Sequence, residues 1–308
     1  YKKDYVEAYS NLANAYFTLS TLNCSRADNR IWKDSLFSAN ILKEKSNKEL
    51  VAIYFARANI LHKDSNYEQS SICLEIANKL KLEINPCNSS NLINKSKVLL
   101  IESDRIEVNQ KKDTDYPQSI FIVGMPRSGS TLLESIISMN PSVDDLGESD
   151  ILEESFLEYK KNNQELTLSE LYYQKVNNGK NNSKSKSYIT TNKCLYNYQY
   201  VGVITRHIPN AKIIHCYRNP LDNILSIYRA NFQRGNEYSS SLIDCAKVYL
   251  NQDKIMTEYK IRYRSNIYDL SYDSLVSNPK KEIQSLISYL GWEWNDAYLT
   301  PHLNSRSV

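Results

Sequence analysis

The stretch Phe121-Ile-Val-Gly-Met-Pro-Arg-Ser-Gly-Ser-Thr-Leu-Leu133 leads from an apolar segment through a turn with two glycines into an amphipathic segment. The spacing from Gly124 through Gly129 to Thr131 fits the phosphate-loop frame G-x-x-x-x-G-x-[ST], which joins a buried strand to a helix. Backbone N–H groups from Arg127 to Thr131 would converge on an anion at the helix start, where the helix dipole favours negative charge. We therefore predict a phosphate-binding turn in an α/β fold.

The turn differs from that of nucleotide triphosphatases at one position. Ser130 stands where those enzymes carry a lysine that reaches the β- and γ-phosphates, and Arg127 supplies a cation earlier in the turn instead. The difference indicates a nucleotide whose reactive group is not that of ATP. An ordinary strand-turn-helix connection remains the alternative. The predicted phosphate-binding residues are Pro126, Arg127, Ser128, Gly129, Ser130 and Thr131.

Length and composition are those of a globular protein. The chain has 308 residues, of which 41% are hydrophobic and 24% are charged, so it holds enough apolar material for two domains of ordinary size. Its net charge of +3 is small for this length, which argues against a nucleic-acid-binding protein. The sequence has no run of about 18 apolar residues, and we predict no membrane span.

The positions of histidine and cysteine argue against a metal centre. None of the 4 histidines stands at metal-ligand spacing from another histidine or from a cysteine. The 6 cysteines include no C-x-x-C pair, and we expect free thiols within packed segments. The sequence begins at Tyr1 and not at a methionine, so a leader could have been lost and a cytoplasmic location is only the default expectation.

Residues 1–112 are predicted to form an all-α domain. Glycine and proline are sparse there, and apolar residues recur at intervals of three and four. Two segments resemble tetratricopeptide units, the first with Tyr9, Leu12, Ala13 and Tyr16 and the second with Phe55, Ala58, Leu61, Tyr67 and Ala77. The segments are about 45 residues apart, whereas the usual repeat period is about 34. A helical bundle without a peptide groove therefore stays an alternative.

A polar segment that ends in a proline, 111–117, marks the boundary to a second domain predicted over 117–308. Buried strands are predicted at 119–123, 212–217 and 266–270, and helical segments at 131–139, 221–262 and 280–290. Strands that alternate with helices indicate a parallel sheet with helices on both faces. The predicted fold is thus a phosphate-loop α/β domain preceded by a tetratricopeptide-like helical domain.

A second basic element follows the predicted strand 212–217. Arg218 stands at the carboxyl end of that strand, where open α/β sheets place their ligands. Asn219 is a suitable helix cap and Pro220 a suitable first helical residue. On its own Arg218 is a weak signal, because an arginine at a strand end also forms structural ion pairs. Together with the glycine turn it predicts a site for a nucleotide with two separated phosphates.

With these elements the sequence resembles the sulfotransferase family, in the branch of tyrosylprotein sulfotransferases and bacterial proteins with tetratricopeptide repeats before a sulfotransferase domain. The resemblance covers 117–308 well and the repeat region loosely. It implies that the glycine turn binds the 5′-phosphate of 3′-phosphoadenosine 5′-phosphosulfate (PAPS), and that Arg218 and Ser226 bind its 3′-phosphate. The family's eight-residue spacing between these two positions is matched. For Tyr272, a hydrogen bond to the nucleotide and a packing role both stay open.

The same resemblance implies the catalytic residues. In the acidic segment 144–150, Glu148 would take the proton of an acceptor hydroxyl as its oxygen attacks sulfur, with Asp150 as the alternative because Ser149 replaces the family's second carboxylate. Lys193 would stabilise charge on the leaving phosphate oxygen without a metal ion, unless it is an exposed surface lysine. The family continues past Val308 with a segment that closes over the nucleotide, so we expect this domain to be truncated at its C-terminus.

The expected activity is PAPS-dependent transfer of a sulfuryl group to an acceptor hydroxyl. Polypeptide, carbohydrate and small-molecule acceptors present the same nucleophile, and the repeat-like region favours a polypeptide, with tyrosine as the reacting residue. The helical domain could also bind a separate peptide or protein partner. Two other functions stay open: an ATP-dependent small-molecule kinase, which Ser130 disfavours, and a non-catalytic tetratricopeptide-type binding module.

Overall fold

A computed structural model of the chain describes residues 2–22, 30–105, 116–161, 166–178, 189–232 and 235–303. These residues form two compact units. One comprises residues 1–90 and 224–248, and the other comprises 91–223 and 249–308. Most of the predicted linker, 111–115, and the C-terminal residues 304–308 lie outside the described part of the chain.

The second unit is built on a parallel sheet. In the described residues the strand order is β2-β3-β1-β4-β5, and every neighbouring pair is parallel. The strands are β1 (Gln118–Gly124), β2 (Val143–Asp145), β3 (Ile189–Asn192), β4 (Ala211–Tyr217) and β5 (Ile267–Ser271). The predicted strands at 119–123, 212–217 and 266–270 are therefore confirmed as β1, β4 and β5. β1 and β4 are mostly buried, as expected for strands covered on both faces, whereas the edge strand β5 has only Ile267 and Leu270 buried.

Alternate residues of β1 enter two different cores. Ile120 and Ile122 pack with α6 (Ser130–Ile137), α12 (Tyr272–Ser277) and α13 (Pro279–Leu290) on one face. Phe121 and Val123 pack on the other face with the helices α5 (Ser89–Arg105), α7 (Ile151–Lys161), α8 (Leu168–Asn178), α9 (Val201–His207) and α11 (Leu242–Tyr263). The predicted α/β arrangement with helices on both faces is confirmed.

Two features of this unit differ from the prediction. The short strands β2 and β3 were not predicted, because three or four residues are too few to show an alternating pattern. The helical segment expected at 221–262 is divided into α10 (Pro220–Tyr228) and α11, with a short 3-10 helix, Glu237–Ser240, between them. Gly235 has φ of +77°, a left-handed conformation that interrupts helical geometry.

The first unit is helical in its N-terminal part, with α1 (Lys2–Thr21), α2 (Arg30–Phe37), α3 (Asn47–Lys63) and α4 (Tyr67–Ile84). Helix α3 begins at a capping box, in which Ser46 and Glu49 satisfy each other's backbone N–H groups. Of the positions assigned to the repeat pattern, Ala13, Tyr16, Phe55, Ala58 and Ala77 are buried. Leu12 and Tyr67 are exposed. The described residues of this N-terminal part are mainly helical, and the all-α domain at 1–112 and its tetratricopeptide assignment stay predictions.

Within the described part of the chain, no helix combines the length and the apolar character needed to cross a bilayer.

Candidate active site

The glycine turn lies between β1 and α6, as its sequence frame predicts. Gly124 ends β1 next to β4, and a β-carbon on it would lie 2.2 Å from the carbonyl oxygen of Cys216. Only glycine allows the two strands this close approach. Gly129 caps α6 in a left-handed conformation, with φ of +90°. Arg127 also has a positive φ, of +67°. This strained turn places the first N–H groups of α6 at the carboxyl edge of the sheet.

Several side chains of the turn are buried beneath it. Ser128 is buried, and its Oγ has no hydrogen-bond partner among the described residues. Ser130 is buried too, whereas Arg127 and Thr131 are exposed. A buried hydroxyl without a partner costs free energy unless something accepts or donates a hydrogen bond there. The turn thus offers a ligand the buried hydroxyl group of Ser128 and the exposed guanidinium group of Arg127.

Arg218 and Tyr272 lie next to the turn. The Arg218 guanidinium carbon is 5.0 Å from the centre of the Tyr272 ring, within the range of a cation–π contact. That ring packs against Gly129, because a β-carbon there would stand 2.2 Å from Tyr272 Cδ2. The Nε of Arg218 is buried and has no hydrogen-bond partner among the described residues. Tyr272 therefore joins the predicted second basic element to the glycine turn.

Three hydrogen bonds hold the segment around Arg218 in place. Asn223 Nδ2 donates to the carbonyl oxygen of Pro126 at 3.0 Å, which ties α10 to the glycine turn. The Asn219 N–H donates to Asp273 Oδ2 at 2.8 Å, and the Tyr249 hydroxyl donates to the carbonyl oxygen of Arg218 at 3.2 Å. We did not predict Asn223. A sequence signal was present, since an asparagine in an apolar helix needs a partner when it is buried.

Ser226 lies in α10, within the segment 224–248 that belongs to the other compact unit. Its predicted contact with a 3′-phosphate remains a prediction.

Backbone pairing beyond the sheet brings Glu148 to Lys193. After β2, the N–H of Leu146 donates to Thr191 at 2.9 Å, and the N–H of Lys193 donates to the carbonyl oxygen of Gly147 at 2.8 Å. The Lys193 ammonium lies 3.5 Å from Glu148 Oε1. The Glu148 side chain is 75% exposed, whereas Lys193 is buried. The two predicted catalytic residues are thus neighbours, and Lys193 is not a surface lysine.

Asp150, the alternative base, has a different neighbour. The Cys194 thiol lies 3.7 Å from Asp150 Oδ1. Burial, with the Asp150 charge adding to it, raises the pKa of that thiol to about 12. Cys194 is therefore a neutral thiol at neutral pH and no nucleophile. The cation that could stabilise a reacting group lies beside Glu148.

A buried carboxylate that we did not predict completes this cluster. Glu134, on α6, is 2% exposed, and its Oε2 lies 2.8 Å from the Lys193 ammonium. Burial raises the pKa of Glu134, while the hydrogen bond and charge of Lys193 oppose this shift and Asp145 adds to it. Burial alone would lower the pKa of Lys193, but hydrogen bonds and charge from Glu134, with Glu148 adding, raise it above its ordinary value. The sequence did carry a signal for Glu134, because a glutamate interrupts the apolar face of α6.

Metal ligands do not cluster in the described residues: no group of three or more histidine, cysteine, aspartate and glutamate side chains is placed to hold an ion. The cysteines among these residues, Cys73, Cys87, Cys194, Cys216 and Cys245, are free thiols. The candidate site consists of the glycine turn, of Arg218, which contacts that turn through the Tyr272 ring, and of Lys193 between Glu134 and Glu148.

Similar solved structures include the sulfotransferase domain of the Synechococcus PCC 7002 olefin synthase, 21% identical with a TM-score of 0.45, which covers 64% of this chain and 81% of that chain. Mouse sulfotransferase SULT7A1 complexed with PAP is 17% identical with a TM-score of 0.39, covering 67% of this chain and 68% of that one. A curated relative, an uncharacterized protein of Aquifex aeolicus (strain VF5), is 28% identical over 227 residues, or 65% of this chain. The match spans only 29% of that relative's length.

A comparison with protein families gives a further match. The model of the family described as "Sulfotransferase family" matches residues 117–296, which is more than half of the 308 residues. The matched segment includes the glycine turn, the acidic segment 144–150 and Arg218. The chain therefore belongs to the sulfotransferase family.

Proposed function

We propose that this protein transfers a sulfuryl group from PAPS to a hydroxyl group of an acceptor. One observation carries the proposal: the Tyr272 ring contacts both Gly129 of the turn and the guanidinium of Arg218. A nucleotide with phosphates on its 5′ and 3′ positions needs two separate anion sites on one surface. ATP, whose phosphates form one chain, needs a single site with a lysine that this turn lacks.

The residues present fit such a donor. The turn from Pro126 to Thr131 would hold the 5′ side through backbone N–H groups and the Ser128 hydroxyl, which is buried without a partner among the described residues. Arg218 would hold the 3′-phosphate, and its buried Nε likewise lacks a partner among those residues. We keep Ser226 as a second 3′-phosphate ligand.

The bound donor supplies an electrophilic sulfur. The acceptor oxygen forms a bond to that sulfur, the bond from sulfur to the 5′-phosphate oxygen breaks with its electron pair, and the products are a sulfate ester, 3′-phosphoadenosine 5′-phosphate (PAP) and a proton. Glu148 would take the proton, because its carboxylate is exposed and lies 3.5 Å from Lys193, the cation proposed for the leaving oxygen. Lys193 would stabilise the negative charge that develops on the phosphate oxygen. Asp150 is less suitable, because it faces a thiol.

Binding and transfer assays test the proposal directly. Calorimetry with PAP and with ATP and magnesium should show binding of PAP and much weaker binding of ATP. Transfer of radiolabelled sulfate from PAPS should be detected on at least one acceptor from a panel of tyrosyl peptides, carbohydrates and phenols. Binding of ATP in preference to PAP would instead support a kinase. PAP binding without any transfer would support a non-catalytic module.

We also propose an acceptor class and a domain organisation for this chain. The acceptor is a polypeptide with a reactive tyrosine, and residues 1–112 form a tetratricopeptide-like domain ahead of the sulfotransferase domain at 117–308. The buried small residues Ala13, Ala58 and Ala77 support the repeat-like packing. Transfer to tyrosyl peptides above the rate for free phenols would support a peptide acceptor, and equal rates would argue against it.

A further inference from the structure

Glu134 is a charged residue in a place where apolar side chains are expected. It belongs to α6, one turn after Ser130, and is 2% exposed. Its helix neighbours Leu133, Ile136 and Ile137 are part of the hydrophobic core. A carboxylate in such surroundings is costly, and buried ion pairs can often be replaced by apolar residues without loss of stability. Stability therefore does not explain this residue well.

Glu134 cannot meet a substrate itself, because it is buried. It can act only through its neighbours, and it forms an ion pair with the Lys193 ammonium, 2.8 Å away. The same ammonium is 3.5 Å from Glu148. Lys193 thus stands between a fixed carboxylate on the phosphate-loop helix and an exposed carboxylate that faces solvent.

The charges around Glu134 come from three elements. Lys193 follows β3, Asp145 lies on β2, and Glu148 belongs to the segment after β2. Asp145 is itself held by the N–H of Gly147 at 2.8 Å and by Thr191 Oγ1 at 3.2 Å, so its charge stays close to Glu134. The Lys193 ammonium is therefore shared by two carboxylates, Glu134 and Glu148. Without the Glu134 charge, Lys193 would form a stronger ion pair with Glu148.

We propose that Glu134 is a positioning residue for sulfuryl transfer: its buried carboxylate fixes the Lys193 ammonium at the end of β3 and limits its pairing with Glu148. This inference rests on the proposed function. A fixed cation stabilises the developing charge without reorganisation during the reaction. A carboxylate that is not fully paired with that cation remains a better proton acceptor. Glu134 serves both requirements from a position outside the substrate pocket.

Kinetics of Glu134→Gln test the proposal. With PAPS and the best acceptor of the panel, kcat should fall about 10- to 100-fold, less than the loss of a direct contact with the transition state would cost. The affinity for PAP should stay within about threefold, since the phosphate loop and Arg218 are untouched. The acidic limb of the kcat profile should move to lower pH, because Glu148 then has Lys193 to itself. A purely structural role would not move this limb.

A second measurement does not depend on activity. Acetylation of Lys193 by a water-soluble N-hydroxysuccinimide ester, quantified by peptide mass spectrometry, should rise at least about fivefold in Glu134→Gln, because the ammonium loses its strongest partner. Glu49→Gln is the matched control: Glu49 pairs with Lys45 at 3.3 Å, and both side chains are buried. It should increase acetylation of Lys45, leave that of Lys193 unchanged and leave kcat unchanged.

The outcomes separate this proposal from the proposed function. If the wild-type protein binds no PAP, the proposed function fails, and the proposal for catalysis fails with it. If the wild type binds PAP and transfers sulfate while Glu134→Gln keeps the wild-type kcat, pH limb and Lys193 labelling, only the role of Glu134 is overturned. Should Glu134→Gln fail to fold, Glu134→Asp takes its place. Its shorter side chain keeps the charge, so it should raise Lys193 labelling and lower kcat, and unchanged values of both would refute the proposal.

Discussion

The ring of Tyr272 lies against the backbone of Gly129, so that a β-carbon on residue 129 would stand 2.2 Å from Tyr272 Cδ2. The guanidinium carbon of Arg218 lies 5.0 Å from the centre of the same ring. A residue at the start of α12 thereby connects a turn after β1 with an arginine after β4. The proposed donor site depends on this contact.

Gly129→Ala should weaken PAP binding more than about 10-fold, because alanine would clash with Tyr272 and would also be strained at φ of +90°. Calorimetry measures this change. Gly291→Ala is the matched control: Gly291 has φ of +79°, but its β-carbon would meet nothing within 4 Å. It should cost stability without a change in PAP affinity. Equal losses of affinity in the two variants would contradict the role of the Tyr272 contact.

Two substitutions of Tyr272 distinguish its packing role from a hydrogen-bonding role. Tyr272→Phe keeps the ring that touches Gly129 and Arg218, and we expect its affinity for PAP to stay within about threefold. Tyr272→Ala removes the ring, and its affinity should fall at least about 10-fold, since Arg218 loses its support. A loss in Tyr272→Phe as large as in Tyr272→Ala would show that the hydroxyl group is the binding element.

Arg218→Ala should weaken PAP binding by about 10- to 100-fold, the loss expected for a charge-assisted contact with a phosphate. The melting temperature should change little, because the guanidinium's only ion pair among the described residues is a 4.0 Å contact with Asp222. Arg262→Ala is the control, since Arg262 is similarly accessible but pairs with Asp104 and Glu258. PAP affinity unchanged in Arg218→Ala would remove the second anion site from the proposal.

Glu148→Gln should lower kcat by about 10²- to 10⁴-fold, the contribution typical of a general base. PAP affinity should be unaffected, because binding requires no proton transfer. The comparison variant is Asp150→Asn, which should retain most of the wild-type kcat. Single-turnover transfer of labelled sulfate measures both rates. The opposite ranking of the two variants would move the base to Asp150.

Asp269 is expected to stabilise the sheet unit at neutral pH. Its carboxylate lies 3.0 Å from His215 Nδ1, 2.6 Å from Lys260 and 2.7 Å from Arg264. Burial alone would raise the pKa of Asp269, but the hydrogen bonds from these partners lower it well below its ordinary range. Burial lowers the pKa of His215, so its neutral ring donates from Nδ1 while Gln252 donates to Nε2 at 2.7 Å.

A carboxyl group whose pKa is lowered by folding contributes stability above its unfolded pKa of about 3.9, and that contribution is lost as the pH falls towards the folded pKa. Asp269→Asn should therefore cost about 2 kcal/mol at pH 7 and progressively less below pH 4. Denaturant unfolding at several pH values measures the difference. Asp104→Asn, which removes a more exposed partner of Arg262, should cost less than about 1 kcal/mol. A cost for Asp269→Asn that does not vary with pH would contradict the ionic origin.

Much of the sheet could be predicted because its signals are local. The apolar residues of β1, the isoleucine pair of β4 and the glycine frame from Gly124 to Gly129 can each be recognised within a few residues. The short strands β2 and β3 were missed, since their strand character comes from pairing and not from their own composition.

The α/β class, the phosphate-type turn and the residue types available for chemistry follow from the sequence, because each depends on neighbours in the chain. Which of these residues meet depends on the tertiary fold, which places Tyr272 between Gly129 and Arg218, and Lys193 between Glu134 and Glu148. Parallel strands end at a common edge, so segments far apart in sequence come together there, and burial at that edge shifts the pKa of Glu134.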